Sequence, residues 1–515
     1  MPLKAPALPL LFGSVVDLET ALLEDQNMIH VLSGLDGELE FYLKLYAARS
    51  TSLLDIVSRH LDIPQSALTA SGVPEWIQGS SSVIVPVFVD RRARGVRKNA
   101  PASVIVRFAV PYRCGDVYFP GEVDEKVRCG AATYAWLQRE CPSVRTPFLH
   151  GFGFPGGQSV LDFPNHSFTD PGSTLVRFSP HHRSGLLDTG YLVLENVVDG
   201  ELLSSSWSKH HDDPVRRSNL FHGLCRTILN LAKTPLPRIG SWTIDDRGVL
   251  SLTNRPLVYT IARSESEGIP SNIPRGRTYD SIDSFYLDYL ALHDSILRHQ
   301  PNSVKSNSDA EGQLASRVAM RALLPNFVSR LNSGGPFVFS LTDLHQNNIF
   351  VDKEWDVTCL IDLEWACARP LQMLRPPSWL TGKPPGALGE GSDRQAYKSR
   401  CDEFIEVMRD EEAAGRHPPQ CSETLESGRT SGRMWYNLAL ESPDMVRQVI
   451  KTHLLPMFFS PDEGFTTAGV AERALMRLWD RRSSDFVGKK LDGLGDYEET
   501  LRAIFAEAEV ASGGG

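Results

Sequence analysis

Apolar residues recur at helical spacing through 38–49 (ELEFYLKLYAAR) and 52–61, so the chain opens with helical pieces. The period then changes. Residues 81–89 (SSVIVPVFV) and 103–110 (SVIVRFAV) are β-branched runs that predict two strands. Pro86 inside the first run predicts an edge strand or a bulge, because proline donates nothing to a ladder. A helix is expected over 122–139, with Ala131, Ala132, Ala135 and Leu137 inside it and Pro142 beyond its end. After a Gly/Pro/Ser-rich excursion at 155–187, the run 191–198 (YLVLENVV) predicts a buried strand. Strand, strand, helix, strand makes a small α/β unit.

From Pro214 the pattern is mainly helical. Pro214 suits a first helical turn, and Leu220, Leu224, Ile228 and Leu231 share one face of a helix over 214–233. Helices are also expected over 283–298 and 313–330, and in the tail over about 394–413, 431–453, 466–480 and 494–510. Residues 242–244 and 249–252, separated by Asp245-Asp246-Arg247-Gly248, predict a hairpin, and 375–392 and 414–432 predict loops.

Composition narrows the classes. The 515 residues are too many for one core, and 41% hydrophobic with 23% charged residues is a globular composition. A net charge of −10 offers no basic field for nucleic acid. The one basic cluster, Arg91, Arg92, Arg94, Arg97 and Lys98, falls between the two predicted strands and is expected to be a solvated hairpin loop. The eight cysteines lack CxxC spacing, which speaks against a zinc site or a disulfide framework and fits a reducing, cytoplasmic setting. No run of 18 apolar residues predicts a spanning helix, and the apolar stretch at 5–16, broken by Pro6 and Pro9, is expected to be a cytosolic segment rather than a signal peptide.

The segment 337–368 (FVFSLTDLHQNNIFVDKEWDVTCLIDLEWACA) concentrates the candidate chemistry. Two short strands, 349–351 and 358–361, are joined by a polar turn, so Asp343, Asn348 and Asp362 arrive at loop–strand junctions. Phosphoryl transfer needs such an inventory. One Asp accepts or orients the proton of the attacking hydroxyl, an Asn five positions on binds Mg²⁺, and a further Asp binds Mg²⁺ among the phosphates. Asp and Asn are also common in turns, but the ordered run DLHQNNIFVD followed by LIDLEW is long. His345 reads as a donor that orders the loop. His210-His211-Asp212-Asp213, just before Pro214, reads as helix capping rather than a metal cluster.

At these residues the chain resembles the aminoglycoside phosphotransferase family, in particular its large fungal-type branch, over roughly 75–370. The resemblance implies an α+β, protein-kinase-like bilobal fold, with a small β-rich N-lobe, a mainly helical C-lobe and a helical C-terminal extension. It would divide the chain into an N-terminal helical extension (1–74), a nucleotide-binding lobe (75–198), a helical lobe and tail (199–510) and a flexible end (511–515). It implies ATP and Mg²⁺ as cofactors and a small-molecule hydroxyl as acceptor, with no nucleic acid or membrane partner. Asp343 would be the catalytic base, and Asn348 and Asp362 the metal ligands. Glu195 to Val197 would be the adenine-binding hinge. Gly79, Ser80 and Ser81 would cover the phosphates, and Arg107 would stand where many kinases have lysine. The family's helical glutamate, which pairs with that cation, is matched here by Gly130, and Glu125 is the helix's other candidate partner for Arg107. The family's catalytic-loop histidine is matched by Leu341. Glu364 is left between a supporting and a substrate-facing role. Two functions stay open: a small-molecule kinase, and a pseudokinase that binds nucleotide or acts as a scaffold.

Overall fold

The computed structural model describes residues 7–156, 159–160, 189–246, 248–328, 333–389, 391–416, 420–459 and 468–513. The chain is a mixed α/β protein with one larger sheet and several small ones. In the larger sheet the short strand Leu68–Ala70 pairs with Ser82–Val89, followed in space by Ser103–Ala109, Tyr191–Glu195, Leu149–Gly153 and Ser159–Val160. Ile77–Gln78 also pairs with Ser82–Val89. All pairings are antiparallel.

Strand alternation gives the sheet two different faces. Val83, Val85, Val87, Val104, Val106, Phe108 and Val193 point to one side and bury Tyr42, Leu45, Leu53, Ile56 and Val57 of the helices Met28–Ala48 and Ser52–Leu61. Ala109, Leu192 and Leu194 join the main core on the other side, with Val127, Ala131, Tyr134 and Leu137 of the helix Glu122–Glu140. Arg107 lies between Val106 and Phe108 in sequence, so it belongs to that second face.

Pro86 departs from expectation. Its strand is interior, with Ser103–Ala109 on one flank and the two short strands on the other. The interruption is in the partner instead: between Ala70 and Ile77 the chain makes a 3₁₀ turn at Val73–Glu75, and Pro86 lies opposite this break, with its carbonyl accepting from Ser71 N. The missing N–H therefore faces a gap in the ladder.

The expected hairpin forms as Ser241–Ile244 with Leu250–Asn254. Helices form at Pro214–Ala232, Ile282–His299, Asn307–Phe327, Gly391–Ala414, Ala468–Trp479 and Ser483–Gly513. Asp213 caps the first of these by accepting from Val215 N and Arg216 N. The expected loop at 414–432 instead contains the helix Gln420–Ser431, capped by the buried Glu412 carboxylate, which takes the N–H groups of Cys421 and Ser422. The expected helix at 431–453 breaks: Arg433–Glu441 stops before Pro443. The 155–187 excursion lies outside the described residues except at its first residues. All eight cysteines are buried and unpaired. Among the described residues no helix is long and apolar enough to cross a membrane.

The N-terminal segment is tied to the C-terminal helix. Val16, Ala21 and Met28 form a buried cluster with Tyr497, Leu501 and Phe505, and Met28 N donates to Tyr497 Oη at 3.0 Å. Asn302 Nδ2 donates to the carbonyls of Glu24 and Gln26 at 3.0 and 3.1 Å, fixing the same segment to the helical region.

Candidate functional site

The loop 341–348 leaves the strand Phe337–Ser340 and enters the hairpin Ile349–Val351 with Val357–Leu360. Ile349 pairs with Leu360, and Ile361 N donates to Asn348 O at 3.0 Å. The hairpin register therefore sets Asn348 beside the residue that precedes Asp362. Asp362 has φ 59° and ψ 52°, a left-handed conformation that short polar side chains tolerate best. Strained backbone of this kind gathers at functional sites.

Side-chain bonds fix the loop. Asn348 Nδ2 donates to Asp343 O at 2.8 Å and to Asp343 Oδ2 at 3.2 Å. With its donor so used, Asn348 presents Oδ1 as its free acceptor. His345 Nδ1 accepts from Asn347 N at 3.2 Å, which puts the ring proton on Nε2, 3.4 Å from Asp343 Oδ1. Asn348 Nδ2 and His345 Nε2 also lie 3.4 Å apart, but both are donors and share the Asp343 carboxylate. The hydrogen bond to Asp343 raises the His345 pKa above its ordinary value, against the opposing effect of burial. Thr342 Oγ1 donates to Trp365 O at 2.6 Å, and Trp379 Nε1 to Leu344 O at 2.9 Å. His345 thus orders the loop, as its sequence context predicts.

Two cations reach this group from the sheet side. Arg107, on the strand Ser103–Ala109, is only 8% exposed, whereas an isolated strand arginine is usually solvent-facing. Its Nε donates to Ser82 Oγ at 3.1 Å, and its Nη2 lies 2.6 Å from Asp362 Oδ1 and 2.9 Å from Glu364 Oε1. Asp362 Oδ1 nevertheless accepts no well-directed hydrogen bond. Arg107 and Asp362 still form a close ion pair. Lys126, on the helix Glu122–Glu140, places Nζ 2.6 Å from Glu364 Oε1 and donates to Ser81 Oγ at 2.6 Å, with the same Nζ 4.3 Å from the Trp365 ring centre. Burial pushes the Asp362 pKa up, but Arg107 and then Lys126 outweigh it and hold the carboxyl below its usual range. The result is a group of two carboxylates and two cations in which Arg107, Lys126 and Glu364 are buried and Asp362 is half-buried.

The remaining expected residues fall around this group. Gly79, Ser80 and Ser81 form the turn between Ile77–Gln78 and Ser82–Val89, where Gly79 N donates to Ser82 O at 2.8 Å and Gly79 O accepts from Arg113 Nη1 at 3.1 Å. Of the three, Ser81 joins the charged group through its side chain. Glu195 ends its strand opposite Val104, three residues from Leu192, which faces Arg107, or about 10 Å at strand rise. Its carboxylate is committed to Arg145, at 2.9 and 2.5 Å, and to Phe148 N, and its own N–H to Phe148 O. Val197 follows it, half-buried. Glu125 does not serve Arg107. Its oxygens accept from Asn254 Nδ2 at 2.7 Å, from Arg255 Nε at 2.9 Å and from Arg275 Nε at 3.2 Å, in a separate buried network that also holds Glu122 and Glu265.

Sequence reasoning missed Lys126, Thr342 and Trp379. A signal for Lys126 was present, since it stands four residues before Gly130 and so shares its helix face. A cavity of about 580 Å³ opens beyond Lys126, lined by Ser80, Ser81, Lys126, Trp365, His30 and Tyr259 among others. Asp343, Asn348 and Asp362 are not among its lining residues. It adjoins the group through Ser81, Lys126 and Trp365. Comparison with protein-family models and with curated proteins returns no match.

Proposed function

We propose that this chain is an ATP-dependent phosphotransferase of the aminoglycoside phosphotransferase type, with a kinase-like bilobal fold, acting on a hydroxyl of a small molecule. One observation carries the reading. Asp343, Asn348 and Asp362 converge beside a buried strand cation, Arg107, with the Asn348 donor already spent on Asp343. The strand–strand–helix–strand order around Arg107 agrees with the fold that the resemblance implies.

The residues present suit Mg²⁺. Asp362 offers a carboxylate, one oxygen of which faces Arg107 at 2.6 Å, and Asn348 offers Oδ1. Among the described residues no group of three or more His, Cys, Asp or Glu side chains could hold a metal unaided. Such a two-ligand site would be completed by phosphate oxygens, as Mg²⁺ sites commonly are. When bound, the ion would offset phosphate charge. Asp343 would take or orient the acceptor hydroxyl's proton, Arg107 would meet the phosphates, and Ser81 would border them from the covering turn.

A second reading, a nucleotide-binding pseudokinase, is favoured by Gly130 and by the pairing of Arg107 with Asp362, which neutralises a cation and a metal ligand against each other. Turnover separates the two.

The test is metal dependence. ATP should bind much more weakly when divalent ions are chelated, and Asp362→Ala should erase the difference. An intact protein with equal ATP affinity in Mg²⁺ and in chelator would sink the assignment of Asn348 and Asp362.

A further inference from the structure

Gly130 leaves Arg107 without a carboxylate from its helix, yet Arg107 is not unanchored. Glu364, two residues after Asp362 and only 4% exposed, puts one oxygen 2.9 Å from Arg107 Nη2 and 2.6 Å from Lys126 Nζ. A Cβ added at Gly130 would stand 4.0 Å from Glu364 Cβ. The carboxylate therefore occupies the space beside the bare face of the helix. Lys126, one turn earlier on that face, reaches over it and donates to Ser81 Oγ in the turn between strands. A buried, balanced charge group is weak evidence for stability, since apolar packing of the same volume often does as well. Its geometry needs another account.

We propose, resting on the phosphotransferase reading, that Glu364 is the positioning residue that aims Arg107 at the phosphates, and that Lys126 couples it to the phosphate-covering turn. The anchoring carboxylate has moved from the helix to the segment after Asp362, and the helix supplies a cation in exchange. Were Asp362 to hold a metal ion, Arg107 would still have Glu364 as its partner. Lys126 keeps Ser81 at a fixed distance from the same oxygen, so the turn and Arg107 are set together. No bond is made or broken in this role; it is one of orientation.

The experiment compares two probes, Mg·ATP and adenosine, which lacks phosphate. Glu364→Gln keeps size and removes charge. It should weaken Mg·ATP about tenfold, the scale of one charge-assisted hydrogen bond, and leave adenosine within about twofold. Gly130→Glu alone should bring no gain, because two carboxylates then face each other. Combined with Glu364→Gln, it returns a single carboxylate to the helix and should restore Mg·ATP to within about threefold of the parent. Unchanged Mg·ATP binding in Glu364→Gln, or equal weakening of both probes, overturns the proposal. So does a folded double variant no better than Glu364→Gln. If the double variant does not fold, the split between probes in Glu364→Gln decides alone. A parent that binds neither probe overturns the phosphotransferase reading and this inference with it, whereas normal parent binding without the split overturns only the inference.

Discussion

At the scale of single residues, Asp343 and its two donors make the sharpest claim. Its carboxylate meets Asn348 Nδ2 and His345 Nε2 and belongs to neither cation. Asp343→Asn should therefore leave Mg·ATP affinity within a few-fold, while ATP hydrolysis or transfer falls roughly 10²-fold or more, the scale of a positioned acid–base group. Paired binding and turnover measurements check it, and unchanged turnover would remove Asp343 from this role. The raised His345 pKa has its own consequence. Its protonated form gains Asp343 in the folded protein, so that contribution is complete below the unfolded histidine value and disappears as pH rises through the folded one. His345→Gln should flatten this part of the stability–pH curve above about pH 6, and a curve parallel to the parent's would count against the pairing. Sequence brought Asp343, Asn348 and Asp362 together because one loop and the short hairpin it enters carry all three. It did not show what Glu364 contacts. Its partners, Arg107 and Lys126, are more than 200 positions away, and no local pattern encodes which cation a carboxylate will meet.

Among the elements, the helix Glu122–Glu140 is anchored through its first turn. Its first turn enters a buried network in which Arg255 contacts Glu122, Glu125 and Glu265, and Arg275 contacts Glu122 and Glu125. Burial, with Glu265 and Glu125 close by, pushes the Glu122 carboxyl up to about 7 against the pull of Arg255 and Arg275. The folded protein then keeps a proton that the unfolded chain releases near 4.5, so stability declines as pH climbs from there to about 7. Glu122→Gln should match the parent near pH 5 and exceed it at pH 8, as denaturant midpoints will show. Midpoints that track the parent's at both pH values would mean that Glu122 ionises normally. Removing Arg255 as Arg255→Ala should cost about 3–5 kcal/mol, since it strands buried carboxylates; a loss below 1 kcal/mol by the same measurement would show the network to be solvated. Elements of this kind were read well where period alone decides, as in 122–139 and 214–233. They were misread where a distant partner decides. The Pro86 strand is interior because its neighbour breaks off opposite the proline, and Gln420–Ser431 is helical because Glu412 caps it from the preceding helix.

For the whole molecule, the contact between the N-terminal segment and the helix Ser483–Gly513 sets the limits of what can be removed. Leu501 is fully buried against this segment's cluster, and Leu501→Ala should cost about 2–5 kcal/mol. The loss should appear as faster amide exchange over 16–28, and unchanged protection there would show that the segment holds on without its partner. This closure was invisible in sequence, because two amphipathic stretches at opposite ends of a chain carry no mark of each other. It also imposes a delay during synthesis. Met28 leaves the ribosome 469 residues before Tyr497, its hydrogen-bond partner. At roughly 5–20 residues per second it waits about 25–90 s with its apolar neighbours uncovered. For that interval the nascent chain offers chaperones the apolar positions of 16–28 without the helix that covers them in the folded protein.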